Sequence, residues 1–158
     1  MIRLPKRALT ESREIVWDRD PALLPRPEDP EGAAAWDSAL AEYGRTFRAV
    51  HLPKRPGCEP VVFVIGSLTV AQKANTMGHD FGRRVFETIA YGVHDILNLQ
   101  DDEGRPVKVE RESSNYGARL PLDVQALFID EGLCVFMFAA VLAASSLPLE
   151  EAKSDRAP

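Results

Sequence analysis

From Gly132 to Leu149 the chain runs eighteen residues without a charge, GLCVFMFAAVLAASSLPL. A helix that is apolar on every side has to be covered on every side. This run therefore constrains how the rest of a 158-residue chain is built. A membrane span needs roughly 20 apolar residues, so the length is borderline, and other features count against lipid. Acids flank both ends, Asp130 and Glu131 before and Glu150 and Glu151 after. The second half weakens into Ala143, Ala144, Ser145, Ser146 and Pro148, and no Trp or Tyr borders the run. A lone surface helix would keep a polar face, and Leu133 to Ala144 has none. Two coverings are left open: burial within the chain, or a shared core with a partner. In the second, Leu133, Phe136, Met137, Phe138 and Leu142 are the candidate contacts, with Trp17 and Trp36 as candidates in the first third. The pairs Ala139/Ala143 and Ala140/Ala144 would allow a second helix to approach closely.

The remaining elements follow from periodicity and punctuation. Eight of the twelve prolines lie in residues 1–60, where they exclude a long regular element. One helix is expected there, at about 30–43, with Asp29 as N-cap, Pro30 in the first turn and Gly44 as its stop. Ala33, Trp36, Leu40 and Tyr43 form its apolar face. The rest of 1–60 reads as an extended arm. VVFVI at 61–65 is a buried strand. Thr69 and Gln72 make a capping box that opens a helix. That helix carries a stripe of Val70, Ala74, Met77, Phe81, Val85, Ile89, Val93 and Ile96, as one kinked helix or two, ending near Asn98. Asp101 to Gly104 is a turn. RPVKVERE alternates as a half-exposed strand that Leu97 to Gln100 could join in a hairpin, and Ser113 to Arg119 is a loop. Pro121 begins the final helical region, and Gly132 kinks or divides it. The expected fold is a small, mostly helical α+β domain at 61–150 with a short β-hairpin or sheet. An extended Pro-rich arm precedes it and a frayed tail at 151–158 follows.

Charge narrows the function classes. The formal net charge is −5, and the excess lies in residues 99–158, which hold six basic and eleven acidic residues. Nucleic-acid binding needs a basic patch to neutralise phosphates, so it is not expected. Cys58 and Cys134 fit no metal spacing and read as free thiols in a reducing compartment. The opening MIRLPKRALTE lacks an apolar signal core, so cytoplasmic synthesis is expected.

No catalytic, cofactor or metal site emerges. His51, His79 and His94 are isolated, and zinc needs three or four convergent ligands. His79-Asp80 and His94-Asp95 are adjacent pairs, which point about 100° apart on a helix and make no preoriented dyad. Cys58 with His51 lies in a segment without a rigid scaffold. Asp101, Asp102 and Glu103 lack the spacing of a calcium loop.

One succession of motifs is informative. It runs Leu68-Thr69 before a helix, Gly92 with Ile96, Leu97 and Asn98, then Asp101 to Gly104 with Val107. Leu120-Pro121 follows, and Ser145-Ser146-Leu147 with Glu150-Glu151 closes it. Over about ninety residues, 62–153, this order resembles that of small accessory or structural proteins from the morphogenesis modules of tailed bacteriophages. The resemblance implies a non-enzymatic head–tail or tail protein, in the virion or in the host cytoplasm during assembly. Its partners would be other phage structural proteins or copies of itself, and no cofactor is implied. Two alternatives stand beside it: a small cytoplasmic enzyme, and a membrane-associated protein using the apolar run at 132–149.

Overall fold

The computed structural model describes residues 12–146. The expected tail at 151–158, the helix stop at Pro148 and the first eleven residues of the expected arm lie outside the described residues. The chain is a small α+β fold. Its elements are β1 (Arg13–Val16), α1 (Pro30–Thr46), a 3-10 turn (Ala49–His51), β2 (Val62–Ile65), α2 (Val70–Met77) and α3 (Phe81–Gly92). There follow β3 (Val93–Leu97), β4 (Glu112–Ser114), β5 (Gly117–Arg119), α4 (Leu122–Gln125), a 3-10 turn (Ala126–Ile129) and α5 (Glu131–Ser145). Strands β1, β2 and β3 form one sheet in that order, and β4 pairs antiparallel with β5. The described chain divides into two compact units. Residues 13–63 and 96–108 make a proline-rich unit; residues 64–95 with those from 109 onward make a helical unit.

In the proline-rich unit, α1 starts as its sequence dictates. The Asp29 carboxylate accepts the Gly32 N–H at 2.7 Å, and Pro30 opens the first turn. Ala33 is buried, and Trp36, Leu40 and Tyr43 are half-buried on the same face. Gly44 does not stop the helix. It runs to Thr46 and ends at Phe47, in the left-handed region at φ 51°. That conformation is costly for a bulky residue. Here the Phe47 ring lies 4.4 Å from the Arg13 guanidinium and edge-on to Tyr43.

Residues 13–60 are not an extended arm. Proline forbids long ladders but not packing, and polar staples supply the ties. Both Asp20 carboxylate oxygens accept backbone N–H groups, from Ala22 and Val61, each at 2.9 Å. Val16 N–H donates to the Tyr43 hydroxyl, and Arg55 N–H to the Ala22 carbonyl. Val16, Ala49, Leu52 and Val62 form the core, with Leu23, Leu40 and Tyr43 packed against it. The Asp101–Gly104 turn forms as expected, with Gly104 at φ 78° and Val107 N–H donating to the Leu99 carbonyl. Most of the RPVKVERE segment does not become the expected strand: it pairs through the single Gln100–Pro106 bridge, and only its last residue, Glu112, enters a strand, β4.

In the helical unit the capping box forms in full. Thr69 Oγ1 accepts the Gln72 N–H at 3.2 Å, and Gln72 Oε1 accepts the Thr69 N–H at 3.0 Å. The long stripe divides after Met77, and Asp80 caps α3 by accepting the Arg83 N–H at 3.0 Å. The helix ends at Gly92, six residues before the expected Asn98. Val93 to Leu97 continue as β3, consistent with the β preference of Val and Ile. The expected loop at 113–119 is instead the β4–β5 hairpin, which turns at Asn115 and Tyr116 and starts β5 with Gly117 at φ 106°. The final helical region breaks at Phe128–Asp130 instead of at Gly132, with a bend of 112°. Asp130 then caps α5 by accepting the Leu133 N–H at 3.1 Å.

Helices α3 and α5 meet at Gly92. A Cβ there would lie 2.2 Å from Val141 Cγ1, so only glycine permits this approach. Gly→Ala in a helix ordinarily stabilises. Here Gly92→Ala is expected to lower the unfolding free energy by about 1–3 kcal/mol through overpacking. Adding Val141→Ala removes the opposing methyls, so the double variant should lose less than the sum of the singles in urea denaturation.

Candidate functional site

Helix α5 buries one face and leaves the opposite one open. Leu133, Met137 and Val141 are buried at i, i+4 and i+8. At 100° per residue, Glu131, Val135, Ala139, Leu142 and Ser146 fall on the other side, and all five are exposed. Val135 is 61% exposed and Leu142 37%. The helix is thus apolar all round but not covered all round. Of the expected contact residues, Leu133 and Met137 are spent on the core, Phe136 and Phe138 are half-buried, and Leu142 faces outward. Val135 and Ala139, absent from that set, hold the middle of the open face. A helical wheel would have shown this stripe, but in an unbroken apolar run nothing in the sequence says which side faces in.

The open face extends onto α2 and α3. The Phe81 ring is 72% exposed and stands edge-on to Phe138 with centroids 6.1 Å apart. Met77 is 70% exposed and lines a groove of about 130 Å³ with Leu68, Leu142 and Ser145. The expected stripe on α2 is thus turned outward: Val70, Ala74 and Met77 face solvent, while Gln72 and Thr76 are buried. Gln72 is satisfied through Nε2, which donates to the Tyr116 carbonyl at 3.0 Å. Basic groups border the groove. Lys73 Nζ donates to the Ser145 carbonyl at 2.7 Å, and Arg84 lines the same wall.

The β4–β5 hairpin is held to α3 by a polar clamp. The Tyr91 and Ser114 hydroxyls lie 2.9 Å apart. Arg111 Nη2 donates to the Tyr91 and Ala118 carbonyls at 3.2 and 2.6 Å. Arg119 lies over the Tyr91 ring and 3.6 Å from Glu87. The guanidinium donors that reach partners here are taken up by carbonyls and a carboxylate. This is a fastening, with no arrangement of nucleophile and base.

His94 packs against Gly66 beside this clamp. Its pKa is held below the ordinary value by burial first and the Arg111 charge second. Among the described residues, none of His51, His79, His94, Cys58 and Cys134 is hydrogen-bonded through its side chain to another of them, and no group of three His, Cys, Asp or Glu residues is placed to hold a metal. Cys58 and Cys134 are free thiols, the first exposed and the second half-buried. In the proline-rich unit a cleft of about 760 Å³ is lined by Asp20, Cys58, Glu59, Asn98, Gln100 and Pro106. Its Asp20 is already committed to two backbone donors. Trp17 and Trp36 are half-buried in that unit, and Trp36 Nε1 donates to the Leu24 carbonyl at 3.0 Å.

No protein-family model matches the chain, and no match is found among curated proteins or solved structures. Among the described residues no single helix is long and apolar enough to cross a membrane; the one pair that passes together is bent by 112°.

The depressed His94 pKa has a testable sign. A base harder to protonate in the folded state leaves stability intact above its ordinary pKa near 6.5 and removes it as pH falls through the folded value. Urea unfolding followed from about pH 8 to about pH 5 should show wild-type stability falling more steeply than that of His94→Asn. Parallel curves would show that His94 is not the group responsible.

Proposed function

We propose that this protein is a non-enzymatic structural or assembly protein of a tailed bacteriophage, acting in the head–tail or tail region through protein–protein contacts. The observation that supports contact as its mode of action is the open face of α5, with Val135, Ala139 and Leu142 exposed beside Phe81 and Met77. A monomer rarely leaves its most apolar helix uncovered, and a contiguous patch of this kind is the usual mark of an interaction site. The phage assignment is supported by the order of motifs from Leu68 to Glu151. On this reading the protein sits in the virion, or in the host cytoplasm during assembly, and its partners are other phage structural proteins or copies of itself. Residues 13–28 are stapled into the proline-rich unit, so the expected wrapping role of an N-terminal arm does not belong to them.

Val135→Asp with Ala139→Asp tests this directly. Both positions are exposed, so each substitution should cost no more than about 1 kcal/mol, chiefly through helix propensity. The wild-type chain should be found by mass spectrometry in purified particles or in assembly intermediates. The double variant, with an unchanged circular dichroism spectrum, should be missing from both. Normal incorporation of the variant, or absence of the wild type from both fractions, ends this reading.

A further inference from the structure

We infer that the partner of the α5 face is a second copy of this chain, paired antiparallel about a twofold axis that passes close to Ala139. The inference rests on the contact reading above and specifies its occupant. Three features of the molecule select a second copy in this orientation.

The first is the pattern along the stripe. Its middle residue, Ala139, is small, and Ala143 lies next to it on the exposed side. Two such helices can approach closely where the small residues meet. Across a twofold axis at Ala139, Val135 of one copy falls opposite Leu142 and Ala143 of the other. Val135 of each copy then meets the small Ala143 of the other, the same pair made twice across the axis as an isologous contact requires.

The second is charge. The N-terminal end of α5 carries Asp130 and Glu131, both exposed. Its C-terminal end is bordered by Lys73, bonded to the Ser145 carbonyl, and by Arg84 on the groove wall. No carboxylate among the described residues pairs with Lys73 or Arg84. Glu131 and Ser146 stand about 12 and about 10 Å along the axis on either side of Ala139, at 1.5 Å per residue. Antiparallel pairing therefore brings the acidic end of each copy to the basic end of the other, twice over. Parallel pairing would set like charges together. The helix dipoles favour the same orientation.

The third is continuity of apolar ground. Phe81 abuts Phe138, and Met77 shares the groove with Leu142. The contact can thus widen beyond one helix toward the roughly 1,200–2,000 Å² that stable interfaces bury.

The full chain, followed by sedimentation velocity from low micromolar to several hundred micromolar, should show a reversible monomer–dimer equilibrium. Glu131→Lys and Lys73→Glu should each weaken it by about tenfold, since each alters both symmetry-related contacts. The two together should restore it, which a folding defect would not do. In a Cys58→Ser, Cys134→Ser background, Ala139→Cys should cross-link to itself under mild oxidation. A dimer that is indifferent to both charge reversals and gives no cross-link from the Ala139→Cys variant overturns the inference. A wild type monomeric throughout also overturns it, but the contact reading survives if Val135→Asp with Ala139→Asp still abolishes incorporation. If that variant also incorporates normally, both fail.

Discussion

The solvent side of α5 depends on how closely its other side reaches α3. The approach is set at Gly92, where a side-chain carbon would stand 2.2 Å from Val141 Cγ1. Without that close contact Val141 and Met137, both fully buried, could not sit as deep as they do. The buried face of α5 is therefore a narrow row of Leu133, Met137 and Val141. A fifteen-residue helix that spends so narrow a face on the core, and has no polar residue between Leu133 and Ala144, must present apolar atoms to solvent.

Some of this is legible in the sequence because local chemistry decides it. Asp29-Pro30 and Thr69-x-x-Gln72 specify helix starts through hydrogen bonds that span three residues, and both form as those residues require. The Asp101–Gly104 turn is equally local. Periodicity misleads where tertiary contacts decide. The apolar positions from Val70 to Ile96 keep steps of three and four, yet Val93 and Ile96 lie in a strand and Val70, Met77 and Phe81 face outward. Gln72 takes the inward position because its amide finds the Tyr116 carbonyl across the hairpin. That hairpin was invisible to a search for β-branched alternation, since ESS and GAR hold no such residue. Arginine and tyrosine contacts hold it instead.

The proline-rich unit illustrates the same limit. Proline density correctly excludes long ladders, but it carries no information about burial. What ties 13–60 into a packed body is a small number of side chains bonded to distant backbone, Asp20 to Val61 above all, forty-one residues away in sequence. Such staples satisfy donors that would otherwise lie in the sheet or in water. They leave no periodic trace, and the expectation of an arm fails over residues 13–60 for that reason. The candidate face was half legible. The apolar run marks a helix that the core covers on one side, but Leu133 and Met137, expected as contacts, lie on the covered side, because size and hydrophobicity do not tell the two sides apart.

That sharing has a physical consequence. In many proteins a binding surface lies on loops, which are ordered only when the partner arrives. Here Val135, Ala139 and Leu142 sit on the same helix whose other side completes the core. The geometry of the open face is then fixed by folding itself, and little conformational entropy is left to lose on contact. The same economy has a cost. A change at Gly92 or Val141 that shifts α5 moves the open face with it, and any loosening of the unit exposes both faces at once. On the proposed reading, a contact built this way would hold only while the core is intact, and stability and assembly would depend on the same packing.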